Sequence, residues 1–439
     1  MRWFFLSRLG YSTFFDFKGN PLMRIHRTLA VLVLILALFF GYGKTAEGEE
    51  TPPLPETVTP IHAAQILLFK STSLKEIEEM LERLKEAGTD TLLFRVFQNR
   101  HDRFHGFAEK KNKVGVYFNS STAPVVDDAL SKILPLAKKH GLKVFAWMTT
   151  RQTDWLLEKH PEWADQKYDF KSKKFSKDQK IDLFHPEARR VLLNIFRDLA
   201  AYEIDGILFQ DDLVYRYTEG FSPEARKAFA RETSHAADPH LFYKRIVPRS
   251  GKLYATEFSP VFWDWVRWKN RSLLKFADEI SRTMKETRPS LKIALNLYYE
   301  TVMEQKNGLA WLAQDFQESL RYSFDYFSVM AYHLQVKKAL GLTDQQVVAR
   351  MGTLAERLVN WLDNPARALI KIQVKDWESG KPESAKELEK VFQAVTQAGK
   401  TSLAFVPCDQ DAPLKTIRRF FKPENRLAEY PYPRPPVQN

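Results

Sequence analysis

The chain has 439 residues, 44% hydrophobic and 27% charged, with 17 Gly, 23 Pro and one Cys. That composition excludes disordered, collagen-like and low-complexity chains, and the lone Cys408 excludes an intramolecular disulfide or a Cys-based zinc site. The formal charge is +12, but no basic helix stripe or RNA-binding motif accompanies it, so it reads as a basic surface rather than a nucleic-acid interface.

In chain order, the first feature is an export signal. Arg24-Ile25-His26-Arg27 precedes an unbroken apolar run, Ala30 to Phe40, and then Gly41-Tyr42-Gly43. An apolar core of 11 residues behind a basic stretch fits a signal sequence. It is short for a membrane span, which needs about 20 residues. Residues 1–43 are therefore expected to be an export signal, with Met23 as an alternative start; an uncleaved anchor through residues 24–43 is the other reading. Either places the protein in the periplasm or at the membrane facing outward. Residues 44–60, including TPPLPETVTP, read as a stiff linker.

From residue 61 to 423, apolar strand-type runs alternate with amphipathic helical segments. The predicted strands are Ile61–Phe69, Thr91–Phe97, Lys143–Met148, Gly206–Phe209, Lys292–Leu297, Tyr326–Tyr332, Ala368–Val374 and Ser402–Val406. Helices are predicted over Leu74–Ala87, Asp127–His140, Pro186–Tyr202 and about 309–321, 343–362 and 383–398. This alternation predicts an α/β protein, a (β/α)8 TIM barrel with long βα loops. An open doubly wound sheet is the alternative, weakened because no Gly-rich phosphate turn follows the first strand. Residues 424–439 form a tail.

A barrel of this kind carries its chemistry at the C-terminal ends of its strands. Those ends hold Trp147; Gln210, Asp211 and Asp212; Asn296, Tyr298 and Glu300; Tyr332 and His333; Asp376 and Trp377. Rings, amides and carboxylates together suit a sugar, because rings stack on pyranose faces, amides bind hydroxyls and paired acids cut the glycosidic bond. Asp211-Asp212, fed directly by Ile207-Leu208-Phe209, is the sharpest signal for the proton donor. Asp376 and Glu300 are candidates for a second carboxylate, although Lys375 and Glu378 favour a surface ion pair for Asp376 and Glu300 reads more readily as a loop residue. His101 and His105 have metal-like spacing but lie in a polar loop with Arg100 and Arg103. Trp263-Asp264-Trp265-Val266-Arg267-Trp268 spaces its rings at helical intervals, which favours core packing. No cofactor or metal is expected.

Asp205-Gly206-Ile207-Leu208-Phe209-Gln210-Asp211-Asp212 resembles the FDGILFHDD segment of the C-terminal glycoside-hydrolase domain of PgaB-type poly-β-1,6-N-acetylglucosamine deacetylases. The stretches 265–277 (WVRWKNRSLLKFA), 292–298 (KIALNLY), 311–314 (WLAQ) and Phe324 to Tyr332 are similar to that domain in the same order. The resemblance implies a hydrolase of partly deacetylated β-1,6-glucosamine polymer, with the acid at Asp211 or Asp212. This chain departs from the pattern at Gln210 (His there), at Leu295 (Arg there) and at VMAYHLQ, which lacks the Glu after strand six. It also runs from the linker straight into the barrel, so deacetylation is not expected. A weaker resemblance, Asp205-Gly206-Ile207 with Met330-Ala331-Tyr332, is to chitinase-like barrels. The competing class is a non-catalytic barrel that binds polysaccharide and guides it during export.

Overall fold

Eight parallel strands pair edge to edge until the last closes on the first, and their order round the barrel is their order in the chain. They are β1 (His62–Ile66), β2 (Thr91–Arg95), β3 (Lys143–Met148), β4 (Gly206–Phe209), β5 (Lys292–Leu297), β6 (Tyr326–Ala331), β7 (Ala368–Gln373) and β8 (Ser402–Val406). The computed structural model describes residues 58–249 and 251–422. The signal or anchor, most of the linker and the tail lie outside those residues. Among the described residues no helix is long and apolar enough to cross a membrane.

The barrel and the bounds of β3, β4, β5 and β8 match expectation. β2 stops early: Phe97–Gln98 leaves the barrel and pairs with Gly115–Val116. The helix expected at 309–321 is two pieces, Gln305–Leu312 and Phe316–Ser319, broken where Ala313 turns left-handed at φ 50°. Asn270 Nδ2 donates to the Ala313 carbonyl at 2.9 Å and holds that break in place.

The pairing register, with the shear of about eight residues usual for this fold, stacks the inward side chains in layers. Tyr326, Thr91, Ser402 and Gly206 lie at the bottom, with Phe145 just above. Gly206 has no room for a side chain: a Cβ there would meet the Phe145 ring at 2.7 Å and the Lys292 carbonyl at 2.7 Å. Gly206→Ala should therefore cost about 1–3 kcal/mol, read as a lower denaturation midpoint with an unchanged denaturant slope. Higher up, Gln65, Trp147, Asn296 and Lys371 share one layer, and Arg95, Gln210, Met330 and Val406 the next. Leu67, Thr149, Tyr298 and Gln373 follow, below Tyr332 at the mouth.

Two long connections build a lobe beside the barrel. Between β3 and β4 the chain makes a hairpin, Ala164–Asp169 with Lys174–Ile181. Between β4 and β5 it makes a second, Tyr243–Arg249 with Lys252–Phe258, followed by the helix Pro260–Thr287. Phe221, Phe229, Phe242, Trp265 and Trp268 pack between them as a second apolar core. The tryptophan-rich stretch is thus core, as its spacing predicts.

Candidate active site

Asp211 follows β4 and stands at the barrel mouth. The Tyr298 hydroxyl donates to its backbone carbonyl at 3.1 Å and lies 3.4 Å from its carboxylate Oδ2. Burial raises the Asp211 pKa above the usual carboxylate range, the Lys371 ammonium opposes that rise, and the neighbouring Asp212 adds to it. A carboxyl in this state is suited to hold a proton and donate it to a leaving oxygen.

Asp212 is occupied differently. Its carboxylate accepts from Thr149 Oγ1 at 2.7 Å, Thr150 N at 3.0 Å, Thr150 Oγ1 at 2.9 Å and Gln152 N at 2.6 Å. That many donors fill the lone pairs of a carboxylate and hold it still. Asp212 ties the loop after β3 to the loop after β4.

Of the other carboxylates, Glu300 is the second residue of the short helix Tyr299–Met303, which Tyr298 precedes. Burial raises its pKa, against the Arg216 charge. Asp376 is spent on its own turn, accepting from Ser379 N at 2.6 Å and Glu378 N at 3.1 Å, and the Ser379 amide lowers its pKa despite partial burial. Asp409 pairs with Lys375 at 2.7 Å.

Tyr298, Tyr332 and Trp377 surround the mouth with Leu67, Met330 and Val406; the Tyr332 and Trp377 rings meet edge-on at 5.8 Å. The Tyr298 backbone is fixed by Gln314, whose Oε1 accepts from Tyr298 N at 3.0 Å and from Thr301 Oγ1 at 2.8 Å. Gln314 closes the 311–314 motif, and through these two bonds the motif shapes the end of β5. Trp147, Gln210 and Asn296 point inward on three strands, and among the described residues Trp147 Nε1, Gln210 Oε1 and Asn296 Oδ1 have no hydrogen-bond partner. Buried polar atoms left open inside a barrel, below its mouth, suit polar groups of a sugar that reaches into it. His333 is buried and turns toward Glu383, with Nε2 3.7 Å from its Oε2. His105 is a core histidine: Phe69 N donates to Nδ1 at 3.0 Å, Nε2 faces the Arg95 carbonyl at 3.0 Å, and burial pushes its pKa down to about 3.

Sequence reasoning did not single out Lys371, a lone charge inside the apolar run of β7, nor the buried network among the segments that follow β3 and β4. There Arg151 donates to Asp165 at 2.7 Å and Glu219 at 3.1 Å, with its guanidinium 3.7 Å from the Tyr215 ring. Asp165, Asp178 and Glu219 bring carboxylate oxygens within 4.8 Å of one another, and Arg151 and Lys180 supply positive charge among them.

A closed (β/α)8 barrel with rings, amides and an enclosed carboxyl at its mouth has the architecture of a glycosidase. The chain belongs to hypothetical glycosyl hydrolase family 13, whose model matches residues 70–406. It is 23% identical over 314 residues to the poly-β-1,6-N-acetyl-D-glucosamine N-deacetylase of Escherichia coli K12, a match covering 69% of this chain and 42% of that protein. Its fold is similar to the PgaB (BpsB) glycoside hydrolase domain from Bordetella bronchiseptica, with a TM-score of 0.63 and 20% identity over 82% of this chain and 99% of the other. The catalytic domain of β-amylase from Paenibacillus polymyxa is more distant, with a TM-score of 0.52 and 11% identity over 82% and 97% of the two chains.

Proposed function

We propose that the protein is an exported glycoside hydrolase that cuts partly deacetylated poly-β-1,6-N-acetylglucosamine or a related exopolysaccharide, with Asp211 as proton donor. The observation that carries this reading is the division of labour within the aspartate pair. Asp212 is held by four donor groups, while Asp211 is enclosed at the mouth with a raised pKa. Family membership and the fold of the Bordetella domain support the reaction class, and the polymer in the name of the Escherichia coli relative points to the substrate.

In this mechanism the sugar stacks among Tyr298, Tyr332 and Trp377, and Trp147, Gln210 and Asn296 bind its polar groups. Asp211 protonates the leaving oxygen as the bond opens through an oxocarbenium-like state. Glu300 is the second carboxylate, acting on water or on the anomeric carbon. The division 61–423 as a barrel behind a signal and linker, with periplasmic location, completes the proposal.

The competing reading is a glycan-guiding barrel that does not cut. It draws on the local commitments of Asp212 and Asp376, which leave Glu300 as the remaining candidate partner among the four proposed acids. Incubation with partly deacetylated β-1,6-glucosamine oligomers beside chitooligosaccharides decides between them. Shorter β-1,6 products support the hydrolase; oligomers that bind and stay intact support guiding.

A further inference from the structure

We propose that Lys371 is a substrate-binding residue that sets specificity: from the floor of the sugar site its ammonium donates to the acetamido carbonyl of an N-acetylated unit and turns away a unit with a free amine. This rests on the reading of the barrel as a poly-glucosamine site and adds to it the acetylation state of the innermost sugar.

Lys371 lies in the middle of β7, paired with Met330 on β6 and Ala404 on β8. The register turns it inward, level with Gln65, Trp147 and Asn296, and it is 1% exposed. An ammonium carries three donors and no acceptor, and a lysine this deeply buried is ordinarily paired. Among the described residues Lys371 makes no hydrogen bond and no ion pair. Its contact is with a ring, the Nζ standing 5.9 Å from the centre of Tyr332. Asp211 attracts it from the mouth without forming an ion pair. Arg95, the inward cation of the next layer, is placed differently and pairs with Asp102 at 3.3 Å.

Tyr332 links the ammonium to the mouth, because the same ring meets Trp377 edge-on at 5.8 Å. At the level of Lys371, Gln65 Oε1, Trp147 Nε1 and Asn296 Oδ1 have no hydrogen-bond partner among the described residues, and Gln210 Oε1 in the layer above is open too. Buried polar atoms are rarely left unmet. An open cation among four of them, beneath two rings, points to a polar ligand that reaches down from the mouth.

The charge decides which ligand. The units of a partly deacetylated polymer differ in one group. An acetamido carbonyl accepts from an ammonium, and the side-chain oxygens of Gln65 and Asn296 can take the acetamido N–H. A free amine is a second ammonium. The residues level with Lys371 are neutral, so nothing there offsets two like charges in a place that screens them poorly. Selection therefore works by repulsion of one unit as well as attraction of the other.

Two β-1,6-glucosamine oligomers of equal length, one N-acetylated throughout and one with free amines throughout, test this by calorimetric titration of the full chain. The titrations are run at roughly pH 6, below the value of about 7 to which burial lowers the Lys371 amine. Wild type is expected to bind the acetylated oligomer more tightly. Lys371→Met should narrow that preference by about 10–100-fold, in part by binding the free-amine oligomer more tightly than wild type does, a gain that damage to the fold cannot produce. Lys371→Arg, which keeps the charge, should keep the preference. An unchanged preference in Lys371→Met, equal weakening of both oligomers, or a wild type that favours the free amine overturns the inference. Cleavage is followed in the same samples by mass spectrometry. A preference that shifts with Lys371→Met while no form yields products keeps the inference and removes the hydrolase reading; products with an unshifted preference do the reverse.

Discussion

Replacing Asp211 by Asn is expected to lower kcat by roughly 10²–10⁴-fold, the range of a lost general acid, without loss of stability. Asp211 gives the fold little that Asn cannot: its backbone carbonyl, which takes the Tyr298 hydroxyl at 3.1 Å, is unchanged. Its enclosed carboxyl also carries a burial penalty that the amide avoids. Asp212→Asn should behave in the opposite way. An amide nitrogen cannot accept, so one side of the cage formed by Thr149, Thr150 and Gln152 would face a donor with a donor. The expected cost is about 2–4 kcal/mol, with a fall in the thermal midpoint and a loss of activity that cooling partly restores. Thermal melts and initial rates on the two variants separate these roles; similar melts and similar rates would contradict them.

The largest stability effect is expected at Arg151→Met. Arg151 and Asp165 are both fully buried, and Arg151 binds the Ile181 carbonyl at 3.3 Å as well as Glu219. It thus joins the loop after β3, the first hairpin and the loop after β4. Lys269, from the helix Pro260–Thr287, donates to the Glu219 carbonyl at 2.9 Å and extends the tie to the lobe. Removing the guanidinium leaves buried carboxylates with much less compensation, at a cost of about 3–5 kcal/mol. The thermal midpoint should fall by on the order of 5–10 °C. Arg190→Met is the control: its ion pair with Glu187 is surface-exposed, and the change should stay within about 0.5 kcal/mol. Equal effects at the two sites would show that the network bears no stability of its own.

The barrel was legible because each strand is an apolar run wedged between helical periodicities. β4 is the clearest case, four apolar or small residues followed by Gln210 and two acids. The excursions were harder to read. Lys174–Ile181 (KFSKDQKI) looks like a solvated loop because most of its residues are exposed, and it becomes a strand only by pairing with Ala164–Asp169. Tyr243–Arg249 contains Lys, Arg and Pro, which conceal a strand until Lys252–Phe258 folds back on it.

The site followed the same division. The strand ends point to one rim, but adjacent aspartates look alike in sequence, and the contacts that separate them come from Thr149 to Gln152, some sixty residues earlier. Lys371 escaped notice because the inward face of β7 is defined by pairing with β6 and β8. Once that register is known, its spacing with Leu369 and Gln373 is the signal.

The most direct test of the central claim is mass spectrometry of one defined, partly deacetylated β-1,6-glucosamine oligomer after incubation with wild type and Asp211→Asn. The predicted result is shorter products with wild type and intact, still-bound oligomer with the variant. Cleavage by Asp211→Asn at the wild-type rate would contradict the assignment of Asp211 as the proton donor.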